Sequence, residues 1–353
     1  MPEEKTIQIG RELHCPSCDA LVLKREVKCP VCGAALGAEG GMAASRLSDE
    51  ELGKKLRARR MGRIIARVLV APLIIAVIVT FFAAMIEGEA LYWVLMVAAA
   101  AGAVYCLLYK FGSKYSLKQL VSVNIVQDAL AEVFEGCTYR FDDRLAGSVV
   151  EEARLITGWN EISGSDLVGG KYRGHGVELS DIKLVKVTQG IEINGHSREK
   201  RETLFQGQWL VFELGRELPA AVRVIEKAGR AGLTSTLKRI AAKGDVETEN
   251  AAFNQQFRIE TDDPHTAFYI LTPHFLEHIM AADAAARART CLCFTGSQVH
   301  IALDNGLDLF EIGKRADVKD IAALRARMKS QIRYLTGILD ALMQNDYLFG
   351  KEN

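Results

Sequence analysis

The chain carries no net charge. Lysine and arginine together number 44, as do aspartate and glutamate, so global charge gives no argument for nucleic acid as the main partner. It also lacks the cysteine density of a disulfide scaffold, since eight cysteines in 353 residues are too dilute for a fold stapled by bridges. No secretory leader is expected, because the first 60 residues are polar and the first apolar run starts too late to be one. No internal repeat is visible. Trp93, Trp159 and Trp209 form no stacking set, and no Ser/His/Asp or Cys/His arrangement shows in the spacing. No catalytic residue and no organic cofactor site is therefore assigned.

What the chain does have is apolar length in one place. Hydrophobic residues make up 49% of it, and much of the excess lies between Ile64 and Tyr109. Val68 to Ile86 is free of charge, and at 1.5 Å per residue such a run covers roughly 28 Å, close to the hydrocarbon thickness of a bilayer. A second uncharged run extends from Ala90 to Tyr109, with Tyr92, Trp93, Tyr105 and Tyr109 near its ends as an interfacial belt would place them. Two transmembrane helices, 64–86 and 90–109, are expected, joined by Glu87-Gly88-Glu89. The competing reading is a buried helical hairpin in a soluble core.

Basic residues set the orientation. Lys54, Lys55, Arg57, Arg59, Arg60, Arg63 and Arg67 precede the first run with no acidic residue among them, and Lys110, Lys114 and Lys118 follow the second. Positive charge marks the cytoplasmic side. The expectation is a bacterial inner-membrane protein with the lipid bilayer as a partner and both termini in the cytoplasm. The upstream cations could also attract anionic head groups.

Residues 1–36 form a cysteine unit. Cys15-Pro-Ser-Cys18 and Cys29-Pro-Val-Cys32-Gly33 are two knuckles separated by ten residues, the pattern of a closed tetrahedral site for one structural zinc per chain. The redox reading of Cys-x-x-Cys needs a single motif in a βαβ setting. His14 is read as a bystander, because four thiolates complete the tetrahedron. A short hairpin is expected between the knuckles. Residues 37–63 read as a polar, then basic, linker.

Residues 115–353 read as a cytoplasmic α+β domain of mainly antiparallel strands with a long carboxy-terminal helix; a pleckstrin-homology-like half-barrel is one form this could take, by fold analogy alone. A helical pattern covers Ser116 to Gly136. Strand patterns cover 145–260, Pro264 to Ala286 reads as one helix capped by Asp262 or Asp263, Asn305-Gly306 reads as a hairpin turn, and Asp317 to Tyr347 as an amphipathic helix.

Three motifs invite chemistry. His274-Phe275-Leu276-Glu277-His278 matches the inverted zinc-peptidase pattern H-x-x-E-H, which would use both histidines as ligands and Glu277 as base. Its bland reading is a helix showing two ordinary histidines, and no third ligand is evident. The glycine-rich stretch Gly169 to Gly176 would need a following helix to cradle phosphate, so a bent strand or hairpin is expected. Cys291-Leu292-Cys293 has the wrong spacing for a knuckle, and its sulfurs are expected as packing groups on opposite sides of a strand.

Several segments carry a resemblance. Gly164-Ser165-Asp166-Leu167-Val168-Gly169-Gly170, Val177-Glu178-Leu179-Ser180 and Phe205-Gln206-Gly207-Gln208-Trp209-Leu210 are similar to the bacterial membrane-associated family catalogued as domain of unknown function 3137. So are Phe253-Asn254-Gln255-Gln256-Phe257-Arg258-Ile259 and Ala267-Phe268-Tyr269-Ile270-Leu271-Thr272-Pro273. The likeness spans roughly residues 110–345. It implies a two-helix anchor with a cytoplasmic domain and supplies no activity or functional residue; the cysteine unit is an added module. The functional expectation is a non-enzymatic, membrane-anchored adaptor or sensor with protein partners, compatible with a homo-oligomer. The alternatives are a membrane-bound zinc metallopeptidase using residues 274–278, and a lipid- or small-ligand-binding protein.

Overall fold

The computed structural model describes residues 13–14, 21–22, 47–189, 199–227, 245–286, 288–311 and 320–350. Cys15, Cys18, Cys29 and Cys32 lie outside the described residues, and so does the zinc site expected on them. The chain divides into two compact units, Met1–Lys55 and Leu56–Asn353.

In the first unit, β1 (Leu13–His14) pairs antiparallel with β2 (Leu21–Val22), Leu13 opposite Val22. Cys15 and Cys18 fall between these strands in sequence, and β2 lies between the two cysteine pairs; the rest of the hairpin expected there falls outside the described residues. Helix α1 (Asp49–Glu87) then begins. Its start is a reciprocal capping box: the Ser48 hydroxyl accepts from the Glu51 N–H at 3.3 Å, and Glu51 Oε2 accepts from the Ser48 N–H at 3.2 Å. The basic stretch expected in a linker is therefore helical from Asp49 onward.

In the second unit, α1 continues through the first apolar run, turns at Gly88 with φ +71°, and α2 (Ala90–Val121) returns. These are two helices long and apolar enough to cross a membrane, and only 6% and 11% of their apolar windows are buried. A soluble-core hairpin would be the reverse. Among the described residues, every exposed large apolar side chain except Phe268, Tyr269 and Leu307 sits on α1 or α2. Ala66, Ala84, Ala103 and Cys106 are buried on these helices, and Phe81 of α1 lies edge-on to Trp93 of α2 with ring centroids 6.3 Å apart. A Cβ at Gly62 would overlap the Tyr109 hydroxyl.

Helix α2 does not stop at its apolar end. It passes into a π-helical turn, Ser122–Val126, and then α3 (Gln127–Ala131), giving one unbroken helical rod. The remaining elements are β3 (Glu135–Arg140), α4 (Gly147–Glu152), β4 (Glu161–Tyr172), β5 (His175–Gln189), β6 (Glu199–Glu213), β7 (Val222–Glu226), β8 (Asp245–Val246), α5 (Ala251–Gln256), β9 (Phe257–Thr261), α6 (Pro264–Ile270), α7 (Pro273–Ala286), β10 (Arg289–Thr295), β11 (Gln298–Asp304), α8 (Ile321–Leu342) and α9 (Asp346–Phe349).

Among the described residues, nine strands form one antiparallel sheet in the order β3-β4-β5-β6-β11-β10-β7-β9-β8. The β10–β11 hairpin inserts between β6 and β7, so the 214–221 connection crosses two strands. One face carries Phe205, Trp209, Val211, Cys291 and Cys293, packed with Leu145, Val150 and Ile156 from α4 and its flanks. The other carries Phe212 and Phe294, which meet Phe349 of α9 and Phe275 of α7. Helix α8 buries Leu324, Met328, Ile332, Leu335, Leu339 and Leu342 on one stripe, each worth about 1.5–3 kcal/mol. The architecture is α+β, as expected.

Several local expectations change. Residues 264–286 form two helices, because Pro273 denies an N–H to the preceding turn and disfavours helical backbone at Thr272. Asp263 caps the first, accepting from the His265 and Thr266 N–H groups. The hairpin turn of the late strands falls at Gly296-Ser297, with φ +54° at Gly296, and not at Asn305-Gly306, which follows β11. The glycine-rich stretch is the β4–β5 hairpin, turning at Arg173-Gly174 with φ +50° and +88°.

Candidate functional site, a buried polar junction

Where the rod leaves its apolar stretch, polar side chains converge. Lys118, in the last turn of α2, donates to Asp166 Oδ2 at 2.6 Å and to Ser165 Oγ at 2.9 Å. The Tyr139 hydroxyl, from β3, donates to Asp166 Oδ1 at 2.6 Å and lies 3.2 Å from the Ser122 hydroxyl of the π turn. Asn124 donates back to the Leu120 carbonyl at 2.8 Å, bridging the turn. Asp166 is fully buried. A buried carboxylate is tolerated only when paired and hydrogen-bonded, and here both oxygens are satisfied.

The backbone of β4 is built to deliver that carboxylate. Ser165 pairs with Asp181 and Val168 with Leu179, so two residues oppose Ser180 in a bulge. Asp166 holds its left-handed position, at φ +62°. Aspartate is among the few side chains that tolerate that region. A Cβ at Gly164 would overlap the Asp181 carbonyl, so glycine is what lets β4 and β5 close at this point.

Behind Asp166 lies a second buried acid. Asp181 Oδ2 accepts from the Leu309 N–H at 2.6 Å, and Oδ1 accepts from Gln208 Nε2 at 3.2 Å. Gln208 also donates to the Leu307 carbonyl at 2.8 Å and accepts from Asn305 Nδ2 at 2.6 Å. Phe310 closes the cluster with its ring edge-on to Tyr139, centroids 6.0 Å apart, and with φ +53°. Two of the four described non-glycine residues with left-handed backbone, Asp166 and Phe310, thus meet at one place. A bulky phenylalanine there is a true outlier, and strain of this kind gathers at functional sites. So do π turns.

Burial pushes Asp166 above the ordinary carboxylate range, and Lys118 with the Tyr139 and Ser165 hydroxyls pulls it part-way back. Burial, then the charge of Asp166, raises Asp181 to about 8. Burial and the charge of Asp166 hold the Tyr139 phenol well above its usual value. None of these residues was singled out for chemistry in the sequence. The available signal was a charged residue inside an apolar strand pattern, Asp181 between Ser180 and Ile182-Lys183-Leu184.

The motifs that were singled out fare differently. His274 and His278 share one face of α7, with Nε2 atoms 3.0 Å apart, but no group of three His, Cys, Asp or Glu side chains converges among the described residues. Cys291 and Cys293 share a face of β10, because residues two apart in a strand point the same way; the expectation of opposite faces is corrected. Both join the core, and burial pushes both thiols up to about 11, far from a nucleophile. His300 is buried and neutral, lowered to about 4, and accepts from Trp209 Nε1 at 3.4 Å.

Residues 203–344 match the family described as Protein of unknown function (DUF3137). The match takes in the Phe205–Leu210, Phe253–Ile259 and Ala267–Pro273 segments that carry the resemblance, and begins after Gly164–Gly170 and Val177–Ser180. No curated protein matches the chain. Among solved structures the chain is similar to the crystal structure of the mycobacterial trehalose monomycolate transport factor A, TtfA. The identity is 10%, over 61% of this chain and 89% of that one, with a TM-score of 0.34. A likeness at that level carries no argument.

Proposed function

We propose that this protein is a membrane-anchored, non-enzymatic adaptor or sensor of the bacterial inner membrane. Its two helices cross the bilayer with both termini in the cytoplasm, and it presents a four-cysteine zinc ribbon and the α+β domain to protein partners there. The rod from Ala90 to Ala131 carries this reading. It is apolar and exposed up to Leu108, then enters the sheet unit with Val121, Ile125, Val126 and Leu130 buried. A change at the membrane would thus reach the domain through a continuous helix. The basic segment 54–67 and the 87–89 turn support the orientation. The β1–β2 pair around Cys15 and Cys18 supports the ribbon, a unit too small to fold without metal.

Membrane fractionation of the full chain tests the anchor: recovery in membranes resistant to alkaline carbonate is expected, and a soluble protein without detergent would overturn it. Zinc at one per chain, lost on Cys15→Ser with Cys29→Ser, is expected for the ribbon. Cross-linked partners that change with Cys15→Ser support an adaptor role, and an identical set argues against it.

One observation favours the metallopeptidase reading. The 3.0 Å gap between His274 and His278 Nε2 suits two adjacent ligands of a metal bound at about 2.1 Å. A second zinc that survives Cys15→Ser and is lost on His274→Ala would support it. The lipid- or small-ligand reading leaned on a pleckstrin-homology-like half-barrel, and the nine-stranded order with an inserted hairpin lends that form no support.

A further inference from the structure

Two buried carboxylates stand on neighbouring strands where the rod meets the sheet, and an ammonium reaches only one of them, Asp166. Asp166 faces Lys118 of α2, Tyr139 of β3 and its neighbour Ser165, with Ser122 of the π turn behind the tyrosine. Asp181 faces Gln208 of β6, the Leu309 N–H and the charges of Asp308 and Asp166, with no cation among them. Arg140 pairs with Asp143 at 3.3 Å, and Arg144 gives its Nη1 to the Leu145 carbonyl at 2.8 Å. With both acids ionised, one ammonium would have to serve two buried negative charges, and their repulsion would fall on the contact that docks α2.

We propose that the Asp166–Asp181 pair is a proton-binding site that latches the helical rod to the sheet. With one proton on the pair, Asp166 keeps Lys118 and the rod stays docked. When that proton leaves to bulk water, the Lys118–Asp166 contact loosens and the rod gives way at the π turn, where the α-helical hydrogen-bond register shifts. Burial and the charge of Asp166 raise Asp181 to about 8, which sets the change close to neutral pH. The latch lies wholly within residues 56–353 and does not depend on the membrane or ribbon readings.

Hydrogen exchange of the full chain in detergent, followed in peptides covering 117–131, tests it against Asp181→Asn at equal pH. At about pH 9 the wild type should exchange about tenfold faster than the variant, and at about pH 6 the two should agree. Asp166→Asn should exchange fast at both, because the anion that holds Lys118 is gone. Infrared titration of the wild type supplies a readout that needs no variant to fold: a protonated-carboxyl band should vanish between the same two pH values. Asp166→Asn should move that loss to lower pH, since the neighbouring charge no longer favours the proton. Equal protection of 117–131 in wild type and Asp181→Asn at both pH values overturns the latch. A wild type without a titrating carboxyl band overturns the proton site itself.

Discussion

The two ends of one helical rod obey opposite rules. Up to Leu108, α2 leaves Val94, Val97, Val104 and Leu108 exposed, which only an apolar surrounding rewards. From Lys118 on, the same helix buries Ser122 and Asn124 and ties its last cation to a carboxylate with no solvent exposure at all. The first half is stabilised by what surrounds it, the second by partners brought from the strands of the sheet. The difference teaches where each half can be broken: the apolar half by a charge, the polar half by removal of one.

The largest effect should come from the polar half. Lys118→Met leaves Asp166 buried without its cation, and a loss of about 3–5 kcal/mol is expected in urea unfolding of the full chain in detergent. Loss under 1 kcal/mol would mean the carboxylate is neutral in the fold. In the apolar half, Ile78→Arg should cost about 3 kcal/mol of insertion, read as the fraction of protein resisting carbonate extraction; unchanged recovery would remove the bilayer from the comparison. Third is pH. The folded protein keeps the Asp181 proton up to about 8, whereas the unfolded chain loses it near 4. Stability should therefore fall as pH rises between those values and level off above. Asp181→Asn should flatten that slope. The smallest effect concerns the bulge: Asp166→Gly should be about 1 kcal/mol more stable than Asp166→Ala, because only glycine relieves φ +62°.

Much of the fold was legible because its causes are local. The uncharged runs, the Glu87-Gly88-Glu89 turn, the Asp263 cap and the α8 stripe each depend on residues within a few positions of one another. Ser48-Asp49-Glu50-Glu51 was a readable capping box that places the start of α1 fifteen residues before the expected span. Asn305-Gly306 misled because the dipeptide fits a hairpin, yet its asparagine serves Gln208 across the sheet. The junction was hidden for a different reason. Lys118 and Asp166 each look like an ordinary surface charge, Asp181 shows only as a charge within an apolar strand pattern, and their meaning comes from the pairing of strands and a helix that lie apart in sequence.

By itself, then, the order of residues determined that two apolar helices would form, that basic residues would flank them, and that strands would dominate the region beyond the second helix, since hydrophobic length and periodicity act within one segment. Tertiary structure alone decided that α2 runs on into the sheet, that a hairpin lodges between β6 and β7, and that two acids lie together out of water with a lysine on only one of them. Those outcomes depend on which distant backbones pair and in what register, and no single segment carries that information.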